Sequence, residues 1–170
     1  LLQGRSALIT GSNQGLGRAI AEEYVRQGAD VALCARNTKL LDETAAALAP
    51  LAGPGQKIVT RPCDVSRKAE VDSLVAWATA ELPTLDILVN SAGVYGPKGL
   101  LEDNDWDEWL LTIEINLLGT ALLFRAIVPH LRKQGRGKII QLSGGGATAP
   151  LPRISAYAAS KAGVVRLVET

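Results

Sequence analysis

The sequence predicts an α/β chain: one parallel sheet with helices wound on both faces, a single domain over residues 1–170. Three observations predict it. Short apolar runs of strand length alternate with longer helical patterns from end to end, the arrangement that makes βαβ units with right-handed crossovers. A glycine-rich turn joins the first apolar run to the first amphipathic stretch. No internal repeat, low-complexity tract or linker breaks the alternation. With 170 residues and 47% hydrophobic composition, one domain with a sizeable core is expected.

The elements follow in order. The first strand is Ser6–Thr10, around Ala7-Leu8-Ile9. The turn Thr10-Gly11-Ser12-Asn13-Gln14-Gly15-Leu16-Gly17 opens a helix over Leu16–Gln27. A second strand, Val31–Ala35, leads to a helix over Lys39–Ala49. Gly53-Pro54-Gly55 punctuates the approach to a third strand, Lys57–Thr60, and a helix follows over Lys68–Glu81. The fourth strand is Leu85–Asn90, and Gly96-Pro97 opens the loop after it. A long helix, Asp105–Lys133, carries Trp106 and Trp109 and then the apolar stretch Ile113–Val128. It is apolar on more than one face, so it packs on the sheet and on something further, either a partner subunit or extra core. Gly135-Arg136-Gly137 ends it. The fifth strand is Lys138–Leu142, and the last helix runs from Ser155 to the end. The expected strand order is 3-2-1-4-5.

In such sheets ligands bind beyond the carboxyl ends of the strands, where the notable glycines and polar residues of this chain fall. The turn Gly11–Gly17 has the strand–turn–helix context of a dinucleotide-binding unit, with G-x-x-x-G-x-G in place of the usual G-x-G-x-x-G. Gly11 permits the tight turn, Gly15 lets backbone approach a pyrophosphate, and Gly17 allows close helix–strand packing. The helix N-terminus offers free N–H groups to phosphate. At the other end of the chain, Tyr157 and Lys161 stand four residues apart, on one face of a helix. A phenol with a pKa near about 10 is a poor acid or base at neutral pH, and a nearby ammonium pulls that value down. The pair then serves to give or take a proton at a carbonyl or alcohol oxygen.

Composition removes other classes. Net charge is +1, from 18 basic and 17 acidic residues, which gives no reason to invoke nucleic acid or an anionic membrane. No uninterrupted apolar run has the length of a membrane span, and no basic-then-apolar leader is present. Cys34 and Cys63 have no metal-site or disulfide spacing and read as reduced core hydrophobes of a cytoplasmic protein. The only histidine, His130, reads as a surface residue beside Arg132 and Lys133, so neither His-based catalysis nor a metal site is expected.

Five motifs in order resemble the short-chain dehydrogenase/reductase family over essentially the whole chain: Thr10 to Gly17, Asp64-Val65, Asn90-Ser91-Ala92-Gly93, Asn116 within the long helix, and Tyr157 to Lys161. The resemblance implies a Rossmann-type fold and NAD(P)-dependent oxidation or reduction of a small molecule, carried out by a homo-oligomer, a dimer or tetramer. It implies that the turn Gly11, Ser12, Asn13, Gln14, Gly15, Leu16 and Gly17 holds the cofactor. Asp64 would accept from the adenine amine, and Val65 would line the adenine pocket. Asn90, Ala92 and Gly93 would meet the ribose and steady the sheet. Tyr157 would be the acid/base, and Lys161 would also hold the nicotinamide ribose. Asn116 would hold a water linking Lys161 to solvent. Asn90 as a strand-end cap and Asn116 as a polar residue bent into a helix remain alternatives.

An NAD-binding unit usually carries an acid about 20 residues beyond the glycines, on the ribose 2′-hydroxyl. Here Cys34-Ala35-Arg36-Asn37 has none, and Arg36 suits a 2′-phosphate. NADP(H) is therefore expected over NAD(H), the alternative being that Arg36 stacks on adenine and admits both.

Two departures stand out. The family's catalytic serine position falls on Gly144, one residue after Ser143. Ser143 is expected to position the substrate oxygen, with Thr148, Ser155 or no hydroxyl as alternatives. The chain also stops inside its last helix and is expected to be C-terminally truncated relative to the family, with much of the substrate pocket beyond it. Rival readings are an NADP(H)-binding sensor or structural protein, and a nucleotide-sugar epimerase or dehydratase on the same scaffold.

Overall fold

The computed structural model describes residues 1–170. Five parallel strands form one sheet in the order β3-β2-β1-β4-β5, the order expected. They are β1 Ser6–Thr10, β2 Asp30–Ala35, β3 Ile58–Pro62, β4 Ile87–Asn90 and β5 Lys138–Gln141. The third strand runs two residues past its expected end. It is an edge strand, so Pro62 removes no ladder bond that the sheet needs.

Each central strand is apolar on both faces, as a sheet covered on both sides requires. Along β1, Ala7 and Ile9 face one core while Leu8 faces the other, and all three are fully buried. Helices α1 (Gly15–Arg26) and α2 (Thr38–Leu48) close the first core with Ala21, Val25, Leu41 and Leu48. Helix α3 (Lys68–Glu81) closes the second with Val71, Leu74 and Ala78. Truncating a side chain such as Leu8 to alanine would cost about 2–5 kcal/mol. Asn37 starts α2 by accepting from the Leu40 N–H.

The expected long helix is not one regular helix. It consists of α4 (Trp106–Ile113), a π-helical stretch Glu114–Leu118, and α5 (Gly119–Gln134). By length and composition the run Trp106–Gln134 could cross a membrane, which the absence of an uninterrupted apolar run had not suggested. Its inward residues Ile115, Leu123 and Ile127 belong to the second core, which accounts for that composition. Its outward Leu110, Leu111 and Leu118 are exposed. His130, on α5, is not a surface residue as expected: its ring is half-buried and its Nε2 is shielded without a partner. Helix α6 (Ser155–Glu169) packs on α4 and the π-helical stretch. A hydrogen bond from Trp109 Nε1 to the Ser155 hydroxyl (3.0 Å) ties α4 to the start of α6.

Candidate active site

The chain reverses direction across the sheet between β1 and β4, and the turns after those two strands form the floor of a crevice there. Gly11 has φ +64, and a Cβ on it would meet the Ala92 backbone at 2.9 Å. A Cβ on Gly17 would fall on the Gly11 carbonyl. Glycine at 11 and 17 is thus what lets the two turns and α1 close on each other. Helix α1 begins without a side-chain cap, so its first N–H groups remain free for an anion.

One cavity of about 1030 Å³ runs along this rim. Gly11, Asn13, Gln14, Gly15, Leu16 and Gly17 form its floor, Arg36, Asp64 and Val65 one end, and Ala92, Gly93, Ser143, Tyr157 and Lys161 the other. The expected site residues therefore converge on one space, except Ser12, Asn90 and Asn116. Ser12 is fully buried, and its hydroxyl clamps the end of β2 by accepting from the Cys34 N–H (3.0 Å) and donating to the Cys34 carbonyl (3.3 Å). Asn90 is also buried. It accepts from the Thr10 hydroxyl (2.7 Å) and donates to Thr120 (2.9 Å) and Gln141 (2.7 Å). Both side chains fasten the strands that carry the site rather than line it.

At the adenosine end, Arg36 is exposed and forms no ion pair within the chain. Asp64 accepts from the Ser66 N–H and hydroxyl at 3.0 and 2.8 Å, which fixes its carboxylate beside the cavity. Cys34 and Cys63 are free thiols that border the same end. The hydrogen bond with Cys63, together with burial, pushes the Cys34 thiol well up, the state of an inert core cysteine.

At the other end Lys161 is buried and donates to the Leu142 carbonyl at 2.8 Å. Its Nζ lies 5.7 Å from the Tyr157 ring centre. Burial lowers its pKa. The expectation that Lys161 depresses the Tyr157 phenol is not met. Burial raises that phenol, and the neighbouring Tyr95 adds to the rise. Within the protein alone, burial and Tyr95, not the ammonium, set the direction of the phenol's shift.

Asn116 lies in the π-helical stretch, the kind of local irregularity that recurs at functional sites. Its carboxamide accepts from the Val94 N–H (2.9 Å) and donates to the Val94 carbonyl (2.8 Å) and to Ser160 (3.0 Å). Both amide protons are engaged, so the side chain acts as a clamp on the loop after β4.

Gly144 lies against the catalytic candidate: a Cβ built on it would fall on the Tyr157 hydroxyl, and one on Gly146 would meet Ala158 at 2.6 Å. The glycine run thus permits close packing on α6. Gly144 itself is extended, with φ −170. Ser143 lines the cavity, exposed, with no protein partner for its hydroxyl. Val94 and Tyr95 also line the cavity, whereas Thr148, the alternative hydroxyl, does not.

Residues 5–170 match the short chain dehydrogenase family. The chain belongs to that family. It is 36% identical to a short chain dehydrogenase of Pseudocercospora fijiensis over 174 residues, covering 99% of this chain and 54% of the relative. Among solved structures it superposes on levodione reductase with a TM-score of 0.94 at 32% identity, covering 98% of this chain and 64% of that one. It superposes on actinorhodin polyketide ketoreductase with NADPH with a TM-score of 0.89 at 30% identity, covering 96% and 62%. The chain thus spans roughly half to two thirds of the length of these relatives. The family's NAD(P) fits the residues present. The uncapped α1 start faces the cavity, and nothing lies within 4 Å of a Cβ on Gly15, so backbone is open to a pyrophosphate.

Proposed function

We propose that this chain is the cofactor-binding and proton-transfer part of an oxidoreductase that exchanges hydride between NADP(H) and a carbonyl or secondary alcohol. The observation that carries the reading is the single cavity with Arg36 at one end and Tyr157 and Lys161 at the other. The floor Gly11–Gly17 would hold the pyrophosphate, Arg36 the 2′-phosphate, Asp64 and Val65 the adenine, and Ala92, Gly93 and Lys161 the ribose of the nicotinamide. When bound, the cofactor supplies or accepts the hydride. Tyr157 gives the proton to the substrate oxygen in reduction and takes it in oxidation. Lys161, whose Nζ has no acid paired to it, would present its donors to the nicotinamide ribose and to that exchange. Ser143 offers a free hydroxyl to the same oxygen. Asn116 positions the loop that carries Gly93 and Val94.

The exposed Leu110, Leu111 and Leu118 support a homo-oligomer, and the two reduced buried thiols support a cytoplasmic setting. One observation favours a non-catalytic NADP(H)-binding protein instead: no side chain stands at position 144. Substituting Tyr157 separates the two readings, as set out in the Discussion.

The direct test is a fluorescence titration with NADPH and NADH, repeated on Arg36→Ala. A charge-assisted contact of roughly 1.5–3 kcal/mol predicts that NADPH affinity falls at least about tenfold while NADH affinity holds. Equal weakening of both overturns the NADP(H) preference, and binding of neither overturns the cofactor reading.

A further inference from the structure

Tyr95 has no part in the scheme above, yet it stands beside its reacting atoms. Its ring centre lies 4.8 Å from that of Tyr157, tilted by 34°, and it borders the same cavity. It is nevertheless 59% exposed, so most of the ring faces outward from the pair. The backbone on both sides of it is held. Val94 is bonded through its N–H and its carbonyl to Asn116. Gly96, at φ +70, is seated so closely on Thr112 that a Cβ there would fall on the threonine hydroxyl. The Lys98 ammonium lies 5.6 Å from the Tyr95 ring centre, a cation–π contact that favours one ring orientation. A stiff, exposed aromatic ring beside a proton donor is a ready-made contact surface, since little ordering remains to be done on binding.

We propose that Tyr95 is the specificity-determining residue of this site. Together with Tyr157 it forms an aromatic wall that seats a flat, unsaturated ring attached to the reacting carbon, so that the favoured substrate class is aryl ketones and the matching benzylic alcohols. Aromatic pairs in offset or tilted contact gain more than their buried area alone provides. A saturated ring of the same size lacks that gain. The Gly144 side of Tyr157 presents backbone only, so it has no side chain with which to make the same discrimination. The inference rests on the reading of Tyr157 as the acid/base of a carbonyl reductase.

The test compares acetophenone with cyclohexyl methyl ketone, matched in size, in NADPH-dependent reduction by the unaltered chain, Tyr95→Phe, Tyr95→Leu and Tyr157→Phe. The readout is how the ratio of the two kcat/KM values changes between proteins, which cancels the ketones' different intrinsic reactivity. Tyr95→Leu should shift the ratio away from acetophenone about three- to tenfold, mostly through KM. Tyr95→Phe, which keeps the ring, should hold the ratio. An unchanged ratio in Tyr95→Leu overturns the proposal, and so does a shift of equal size in Tyr95→Phe. Undiminished turnover in Tyr157→Phe would instead bring down the acid/base reading on which it rests. If neither ketone is turned over, their affinities for the NADPH complex, read by quenching of NADPH fluorescence, decide by the same ratio.

Discussion

At the amino ends of β1 and β4, Asp86 accepts from the Ser6 N–H (3.2 Å), the Thr84 hydroxyl (2.6 Å), Arg136 (3.1 Å) and Arg5 (3.3 Å). At the carboxyl ends of the same two strands, the first N–H groups of α1 lack a side-chain cap, and Arg36 and Ser143 have no partner for their side chains. One end satisfies its polar groups internally and closes. The other fastens its strands through Ser12 and Asn90 but leaves these further groups open to the cavity. A buried carboxylate with this many donors locks the strands together, whereas free donors and cations gain their partners only when a ligand arrives. The amino end thus serves to hold the strands alone, whereas the carboxyl end holds them and also keeps free groups at the cavity.

Four substitutions break or sharpen that contrast. Tyr157→Phe should lower turnover by about 10²–10⁴, the span of a lost general acid/base, with NADPH affinity and melting temperature unchanged. A sensor would lose nothing. Asp86→Asn should do the reverse. Taking the charge out of a buried, multiply paired site is expected to cost roughly 3 kcal/mol in denaturant unfolding, with no change in nucleotide titration.

The same residue sets an acid limit. Burial pushes the Asp86 carboxyl up, but the hydrogen bonds from Thr84 and Ser6 and the charges of Arg136 and Arg5 outweigh it and hold the group below the usual carboxylate range. Its contribution is therefore complete above the unfolded value of about 3.9 and is lost as pH falls through the lower folded value. Unfolding curves between neutral and acid pH should steepen for the unaltered chain in that window and stay flatter for Asp86→Asn. A parallel fall in both would sink this assignment.

Gly17→Ala lies between the two ends in effect. Its new Cβ pushes on the Gly11 carbonyl, an overpacking of about 1–3 kcal/mol. The loss should appear in NADPH affinity as well as in stability, because the displaced turn is the floor of the cavity. Intact affinity would mean that the floor tolerates the shift. The smallest effect is expected for Ser143→Ala, about a fivefold fall in kcat, the size of one neutral hydrogen bond near 1 kcal/mol. No fall would leave Tyr157 to work without a second hydroxyl.

Much of this was legible in the residues. The strand order, the turn Gly11–Gly17, and Tyr157 with Lys161 on one helical face all follow from short-range spacing, because helix and strand periods place near neighbours without help from the rest of the chain. The residues whose roles were not legible depend on partners far away in sequence. Asn90 and Asp86 both bond β1 residues that precede them by 80 positions. Asn116 is fixed by Val94 and by Ser160, 22 and 44 positions away. No local pattern announces such partners. The phenol of Tyr157 shows the same division. Its spacing to Lys161 is a sequence fact, but whether the ammonium or desolvation governs its proton depends on how deeply the fold buries the pair, and burial is a property of the whole packed chain. The sequence by itself thus determined which elements form and which side chains reach the rim of the sheet. The tertiary structure alone decided which of those side chains fasten the rim and which are left free to act there, because hydrogen-bond partners and desolvation exist only once distant segments pack.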